Sequence, residues 1–279
     1  ALLAVSVGTS SLRAQSLISI ETAAVGDPGN AADNTGYGAV AYQFNIGTYE
    51  VTIGQYTTFL NSVASVASET YIVDLWNANM ASNQNVSGIS RTGSGVLESP
   101  YSYSVLGGGS RPVTYVSWFD AARFVNWVHN GATNGASTET GAYTLNGAAT
   151  GIGFTKNPDA AWWIPSENEW FKAAYYKGGG TNAEYWLYPT QSDSAPGNAI
   201  GGATNQANYR AAPDFDYATT GSATYSESQN YLTDVGSFSA SASAYGTHDQ
   251  AGNVFEWNDQ IYNDPGGERR GIGGGSWST

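Results

Sequence analysis

The chain lacks cysteine entirely and contains only two histidines in its 279 residues. Without a thiol, disulfides, thiol nucleophiles, iron–sulfur clusters and thiolate metal sites are excluded within these residues. The histidines, His129 and His248, are too few for a site that binds a transition metal through three imidazoles. These two shortages remove the commonest thiol-based and transition-metal functions.

Positive charge is also scarce, since ten Lys and Arg face 23 Asp and Glu and the formal net charge is −13. The basic residues are scattered, whereas a nucleic-acid-binding surface needs a basic stripe or patch. We therefore expect no nucleic-acid partner, and we expect cations to be the natural partners of this surface. Charged residues make up 12% of the chain, while 35 Gly, 19 Tyr and 9 Trp indicate a loop-rich fold held by aromatic packing.

No stretch is long and apolar enough to predict a membrane span. The first residues, "ALLAVSV", form a short apolar run followed by small residues, which is typical of the end of a secretory signal peptide without its basic start. The alternative is an N-terminal strand. We assign residues 1–17 to a partial signal peptide and 18–279 to a single domain, and we expect a secreted or cell-surface protein. Because the sequence stops abruptly after "GIGGGSWST", we expect the domain to be truncated at its C-terminus.

One helix-start signal occurs three times. Each copy begins with Thr or Ser and has Gln, Asp or Glu three residues later, so that the hydroxyl accepts from the third helical amide while the second side chain reaches back. In the second copy, Trp118, Ala121, Ala122 and Val125 would lie on one buried face. The three predicted helices are "TIGQYTTFLNSV", "SWFDAARFVNWV" and "PSENEWFKAAYY".

Between these helices the chain is rich in Gly, Ser, Asn and Thr and offers only short strand-like pieces. The predicted strands lie in "AVAYQFNIGTYEV", "AAWWIP" and "GGSW". Residues 78–110 and 129–160 are predicted to be long surface loops. Few helices, short strands and long loops together favour the α+β class.

An acidic segment near the end of the chain, "GTHDQAGNVFEWND", places Asp249, Asn253 and Glu256 next to the aromatic residues Phe255 and Trp257. A solvated loop would not need the aromatic residues, and a buried strand would not tolerate unpaired carboxylates. Two explanations are open at this point. Either a cation is bound there, or a tight turn forms in which the carboxylates accept backbone N–H bonds without an ion.

Five segments occur in order along the chain, namely "YEVTIGQYTTFL", "RPVTYVSWFDAARFVNWV", "WWIPSENEWFKAAYY", "YGTHDQAGNVFEWND" and "RGIGGGSW". Together they resemble the formylglycine-generating enzyme, or sulfatase-modifying factor, family. The similarity is greatest to secreted bacterial members that carry a signal peptide and a C-terminal sorting anchor. The resemblance implies an α+β, C-type-lectin-like fold and the family activity, which is oxidation of a substrate cysteine to formylglycine.

The same resemblance implies a role for the acidic segment, because the corresponding segment in the family wraps a structural calcium ion. Carried over residue by residue, Asp249 and Glu256 would offer side-chain oxygens, and Gly252 and Val254 would offer backbone carbonyls. Oxygen ligands of this kind suit calcium. We therefore expect calcium as a structural cofactor.

Catalysis carries over less completely. Ser276 matches the family's active-site serine, and Phe255 stands where the family has a tryptophan lining the substrate pocket. The two copper-binding cysteines that follow the family's "GGS" motif are absent from these residues, so we expect neither copper nor formylglycine activity. The second function left open is a non-enzymatic, calcium-stabilised lectin-like module that binds an unknown protein or glycan ligand. A second family calcium site maps near Asn208 and Tyr209, but the match is poor and we do not assign it.

Overall fold

A computed structural model describes residues 5–6, 15–65, 74–265 and 267–279. Long irregular connections separate many of the helices and strands in this part of the chain. No helix in these ranges is both long and apolar enough to cross a bilayer. The elements in order are β1 (Val5–Ser6), β2 (Thr22–Val25), β3 (Phe44–Gly47), α1 (Ile53–Val63), α2 (Asn79–Ser82), β4 (Ile89–Thr92), β5 (Ser102–Val105), α3 (Trp118–His129), β6 (Trp162–Trp163), α4 (Glu167–Tyr175), β7 (Arg210–Ala211), β8 (Asp216–Tyr217), β9 (Glu256–Asp264) and β10 (Gly267–Gly273).

The largest sheet has four short strands in the order β2–β3–β1–β6. All its pairs are antiparallel, and β1 lies between β3 and β6, with Val5 opposite Ile46 and Trp163. This pairing agrees with the alternative of an N-terminal strand. The remainder of residues 1–14 lies outside the described residues, and the signal peptide stays a prediction.

The three predicted helix starts are confirmed. The hydroxyls of Thr52, Ser117 and Ser166 accept from the backbone N–H three residues later, and the side chain at that later position accepts from the backbone N–H of the first residue. These reciprocal bonds satisfy amides that the start of a helix leaves without intrahelical partners. Helices α1, α3 and α4 therefore begin where the sequence predicts.

Helix α3 lies at the centre of the core, and every residue from Trp118 to Val128 is buried. It packs against α1, where the ring centroid of Phe59 lies 5.4 Å from those of both Phe124 and Trp127. The prediction of a single buried face for α3 is wrong, because a second layer covers its other side.

That second layer is the segment 129–160, which the sequence predicts as a surface loop. Beyond the end of α3 it contains no helix or strand, yet Tyr143 and Leu145 are fully buried. The segment supplies partners for the polar face of α3, since Arg123 Nε donates to Glu139 Oε1 at 2.6 Å. The surface-loop prediction is therefore wrong for this segment. A buried face of α3 that carries charge needs a covering layer that can pair with it.

Two further expectations about secondary structure are wrong. The predicted loop over residues 78–110 contains the short helix α2 and the antiparallel hairpin β4–β5. The predicted strand at "GGSW" is irregular and follows the end of β10. The sequence pattern also missed the longest strand pair, β9–β10, because its residues are polar and glycine-rich and its register shifts between Arg270 and Ile272.

The ion pair under α3 yields a prediction about stability. Arg123 and Glu139 have side chains only 2% and 11% exposed. Replacing Glu139 with Ala leaves a buried guanidinium without its partner, so we expect a loss of about 3–5 kcal/mol in the free energy of unfolding, measured by chemical denaturation. The matched control is Asp74→Ala, which breaks the more exposed pair with Arg91 and should cost about 0–1 kcal/mol. Equal effects of the two substitutions would contradict the structural role assigned to Glu139.

Candidate functional site

The acidic segment forms a tight turn immediately before β9. The N–H of Gly252 donates to the carbonyl oxygen of Asp249 at 2.9 Å, and Asp249 and Asn253 adopt positive φ angles of 66° and 63°. A Cβ atom on Gly252 would lie only 2.3 Å from the carbonyl oxygen of Asn208. Glycine therefore permits a close approach of two backbones that another residue would prevent.

Asp249 and Glu256 each accept a hydrogen bond through one carboxylate oxygen. Asp249 Oδ2 accepts from the backbone N–H of Gly236 at 2.6 Å, and Glu256 Oε2 accepts from Trp170 Nε1 at 2.7 Å. Glu256 is fully buried, and its other oxygen, Oε1, has no hydrogen-bond partner. A buried carboxylate oxygen left unpaired is costly, so a proton or a cation is favoured at this position.

Asn253, the third residue singled out in the segment, connects the turn to the core. Its Nδ2 donates to Glu50 Oε2 at 2.9 Å and to the Thr233 carbonyl at 3.3 Å. Its Oδ1 accepts from Asn208 Nδ2 at 2.9 Å and from the Thr233 N–H at 3.1 Å. This amide therefore has the structural role expected in a hydrogen-bonded turn, whether or not a cation is bound nearby.

Glu50 is a third carboxylate of this site, and sequence reasoning missed it. It is 1% exposed, and its Oε1 accepts from the backbone N–H of Val254 at 3.3 Å. No periodic pattern in the sequence indicates it, because β3 ends at Gly47, the chain bends at Thr48 and Tyr49, and Ile46, Gly47 and Thr48 are buried in succession.

The three carboxyl groups all have raised pKa values. Burial of its carboxyl group raises the pKa of Asp249 to about 6. The residue as a whole is half-buried, so part of its surface still contacts solvent. Burial, with the nearby charge of Asp249, raises the pKa of Glu256 to about 7. The pKa of Glu50 lies well above its ordinary value because of burial first, and then the charges of Asp249 and Glu256. Negative charge is therefore unfavourable here unless a cation compensates it.

The residues present fit a calcium ion in the chemistry of their donors. The unpartnered Oε1 of Glu256 is a hard oxygen ligand of the kind that calcium prefers. In the described parts of the chain, no three His, Asp or Glu side chains form a group that could hold a metal ion by themselves. Backbone carbonyls would have to complete the ligand set, and Gly252 and Val254, which the resemblance names for this purpose, are buried in the same turn.

The two residues expected in the family's pocket have different environments. Ser276 is buried, with its Oγ 3.1 Å from the Oγ of Ser278, whereas Phe255 is 41% exposed. The segment of Ser276 is joined to the acidic turn, because the N–H of Trp277 donates to the carbonyl of Asn253 at 2.9 Å. The structure therefore places Ser276 next to the turn.

Asn208 and Tyr209, near the second calcium site that was left unassigned, serve other roles. Asn208 Nδ2 donates to the Tyr231 carbonyl at 2.9 Å and to Asn253 Oδ1 at 2.9 Å. The hydroxyl of Tyr209 donates to the carbonyl of Pro196. Both side chains are engaged within the protein, and we assign no second site there.

An open groove of about 990 Å³ lies between the β9–β10 hairpin and the loop at residues 151–152. Arg270 lies in the wall of the groove. Its Cζ is 3.8 Å from the ring centroid of Trp118, and its Nη1 donates to Asp259 Oδ1 at 2.7 Å. Sequence reasoning missed this groove because it missed the hairpin. Its mixed aromatic, aliphatic and charged lining, typical of ligand clefts, comprises Trp118, Gly151, Ile152, Trp257, Tyr262, Asn263, Glu268, Arg269, Arg270, Gly271 and Ile272.

The raised pKa values predict how the metal-free protein responds to pH. The unfolded chain releases these protons near pH 4, whereas folded Asp249 and Glu256 retain them up to about pH 6 and 7. Their contribution to stability is therefore fully present below about pH 4 and is lost as pH rises to about 7. We expect chemical denaturation in metal-free buffer to show a smaller decline from pH 5 to 7 in an Asp249→Asn, Glu256→Gln double variant. Parallel pH profiles of variant and wild type would contradict this expectation.

Comparisons with known proteins agree with this architecture. The family model described as "Sulfatase-modifying factor enzyme 1-like domain" matches residues 11–279. No curated protein matches the chain. A solved structure titled "Crystal Structure of CarF" aligns with a TM-score of 0.56 and 23% identity, covering 94% of this chain and 89% of that one, and supports the fold alone. Because the family match covers nearly the whole sequence, the chain belongs to the sulfatase-modifying factor enzyme 1-like domain family.

Proposed function

We propose that this domain is a calcium-stabilised binding module, located outside the cell, that does not convert cysteine to formylglycine. The observation that carries the proposal is the acidic turn, in which Glu256 Oε1 is buried without a partner, in a chain without any cysteine. We also propose that the domain has the C-type-lectin-like arrangement of the family, which is consistent with its few helices, short strands and long connections. The extracellular location rests on the scarcity of positive charge, since Val5 and Ser6 of the apolar first residues pair as β1 within the sheet.

Calcium would be held by the side chains of Asp249 and Glu256 and by the carbonyls of Gly252 and Val254. Its two positive charges would offset the charges that burial makes unfavourable on the neighbouring carboxyl groups. Because the bonds of Asn253 already shape the turn, calcium would bind a turn that is formed in its absence. The ion would therefore stabilise the folded state more than it would reorganise it.

The calcium proposal predicts a metal-dependent stability. If calcium binds only the folded protein, a hundredfold excess over its dissociation constant adds about 3 kcal/mol to the free energy of unfolding. We expect the melting temperature to be higher in millimolar calcium than in chelator, and Glu256→Gln to abolish the difference. The control Glu268→Gln, an exposed position on β10, should retain it. Superimposable wild-type melting curves in chelator and in calcium would show that the carboxylates only complete a turn.

The proposed lack of formylglycine activity rests on sulfur chemistry. A thiolate is the nucleophile and soft ligand that such copper chemistry requires, and Met80 carries the sole sulfur atom of these 279 residues. We expect this polypeptide, incubated with copper and a sulfatase-motif peptide, to form no aldehyde above the copper-only control in mass spectrometry. A cysteine-containing family member assayed in parallel serves as the positive control. Aldehyde formation above background would refute the proposal.

The groove beside the β9–β10 hairpin is the surface on which we propose that a protein or glycan ligand binds. Its size lies within the range of small-ligand clefts. Tyr262 and Ile272 are 38% and 51% exposed at its edge and would offer apolar contact to such a ligand.

A further inference from the structure

Glu50 contacts the acidic turn at its central peptide. One carboxylate oxygen accepts from the side chain of Asn253 at 2.9 Å, and the other accepts from the backbone N–H of Val254 at 3.3 Å. Two consecutive residues of the turn are therefore held by a single side chain from the connection between β3 and α1. No other carboxylate near the turn makes this pair of contacts among the described hydrogen bonds.

The peptide between Asn253 and Val254 is fixed from both sides. The N–H of this peptide, from Val254, donates to Glu50. The carbonyl oxygen of the same peptide, from Asn253, accepts from the N–H of Trp277 at 2.9 Å. A peptide unit is planar, so holding both of its polar groups sets its rotation about the chain. The direction of the following Val254 residue is set as a consequence.

The backbone on both sides of Glu50 is held by hydrogen bonds. The preceding residues Ile46 and Thr48 are buried, and the Thr48 carbonyl accepts from the N–H of His248 at 2.9 Å. Directly after Glu50, the carbonyl of Val51 accepts from the N–H of Val113 at 3.0 Å. The carboxylate is therefore presented by backbone that is tied to its neighbours on both sides of the residue.

The bonding of Glu50 differs from that of Glu256. Both oxygens of Glu50 accept hydrogen bonds from the turn, whereas Glu256 retains a buried oxygen without a partner. A carboxylate whose oxygens are occupied by donors orients other groups, and one with a free oxygen is suited to bind an ion directly. The two buried glutamates thus have different roles at one site.

We propose that Glu50 is a positioning residue that holds the acidic turn in the shape required for a divalent cation, through its paired bonds to Asn253 and Val254. This inference rests on the proposed calcium function and adds to it a residue outside the ligand set. Residues that orient metal ligands typically contribute about 10- to 100-fold to metal affinity.

The test compares three variants by calcium titration calorimetry. Glu50→Asp keeps the carboxyl group but shortens the side chain, so it should lose one of the two bonds and bind calcium about 10- to 100-fold more weakly. Glu50→Gln places an amide NH2 group against the N–H donors of Asn253 and Val254. We expect this variant to bind calcium more weakly as well. The control Glu21→Gln removes an exposed carboxylate that lines the same 270 Å³ cleft as Glu50 and should bind like wild type.

Two further results separate positioning from other effects. If Glu50→Asp binds calcium like wild type and only Glu50→Gln is weakened, charge alone is responsible and the proposal is overturned. A purely structural role would lower the melting temperature equally in calcium and in chelator, whereas positioning should reduce the shift that calcium produces.

Hydrogen exchange distinguishes failure of this inference from failure of the calcium proposal. In metal-free protein, the amide of Val254 should exchange faster in Glu50→Asp than in wild type or in Glu21→Gln, because its acceptor has moved. Unchanged exchange at Val254 would overturn the positioning role. If wild type binds no calcium while exchange rises as expected, the calcium proposal fails and Glu50 still positions the turn.

Discussion

The buried side-chain amide of Asn253 makes the hydrogen bonds on which the shape of the acidic turn depends. Its side chain bonds to Glu50, Asn208 and Thr233, and its backbone carbonyl accepts from Trp277. Each buried polar group left unpaired costs about 1–3 kcal/mol. Segments that are far apart in sequence therefore cannot separate without breaking several bonds together, and the acidic turn is shaped without the help of an ion.

Aromatic stacking supplements these bonds where regular secondary structure is sparse. Tyr231 and Trp277 stack with centroids 4.6 Å apart and planes 4° from parallel, and Tyr217 lies 4.3 Å from Tyr231. Large rings bury much surface while losing little side-chain entropy, so they can stabilise connections that form no ladder of backbone bonds. The abundance of Tyr and Trp in the composition thus corresponds to the way in which the last residues are held.

Local chemistry was the part of the fold that the sequence predicted well. The reciprocal bonds at Thr52, Ser117 and Ser166 depend on residues three apart, and the structure contains all of them. What the sequence predicted poorly depends on distant partners. The charged face of α3 is buried because Glu139 reaches Arg123 from a segment without secondary structure, and no periodicity in that segment indicates the contact.

The candidate site shows the same division. Gly252 and the carboxylates of the turn could be identified from one short segment, but Glu50 lies about 200 residues earlier and joins them only through tertiary contacts. Neither its burial nor its partners follow from a local pattern, because the chain bends at Thr48 and Tyr49 after the end of β3.

Burial of these carboxylates also bears on what a bound cation could do. Glu256 is fully buried beneath the chain, whereas its neighbour Phe255 is 41% exposed. An ion bound to Glu256 would sit against a fully buried carboxylate, where we expect it to act on the fold. Since Trp277 is bonded to Asn253, stiffening the turn would also stiffen the segment that carries Ser276. We therefore expect a bound cation to affect the adjacent surface by restricting the backbone beneath it.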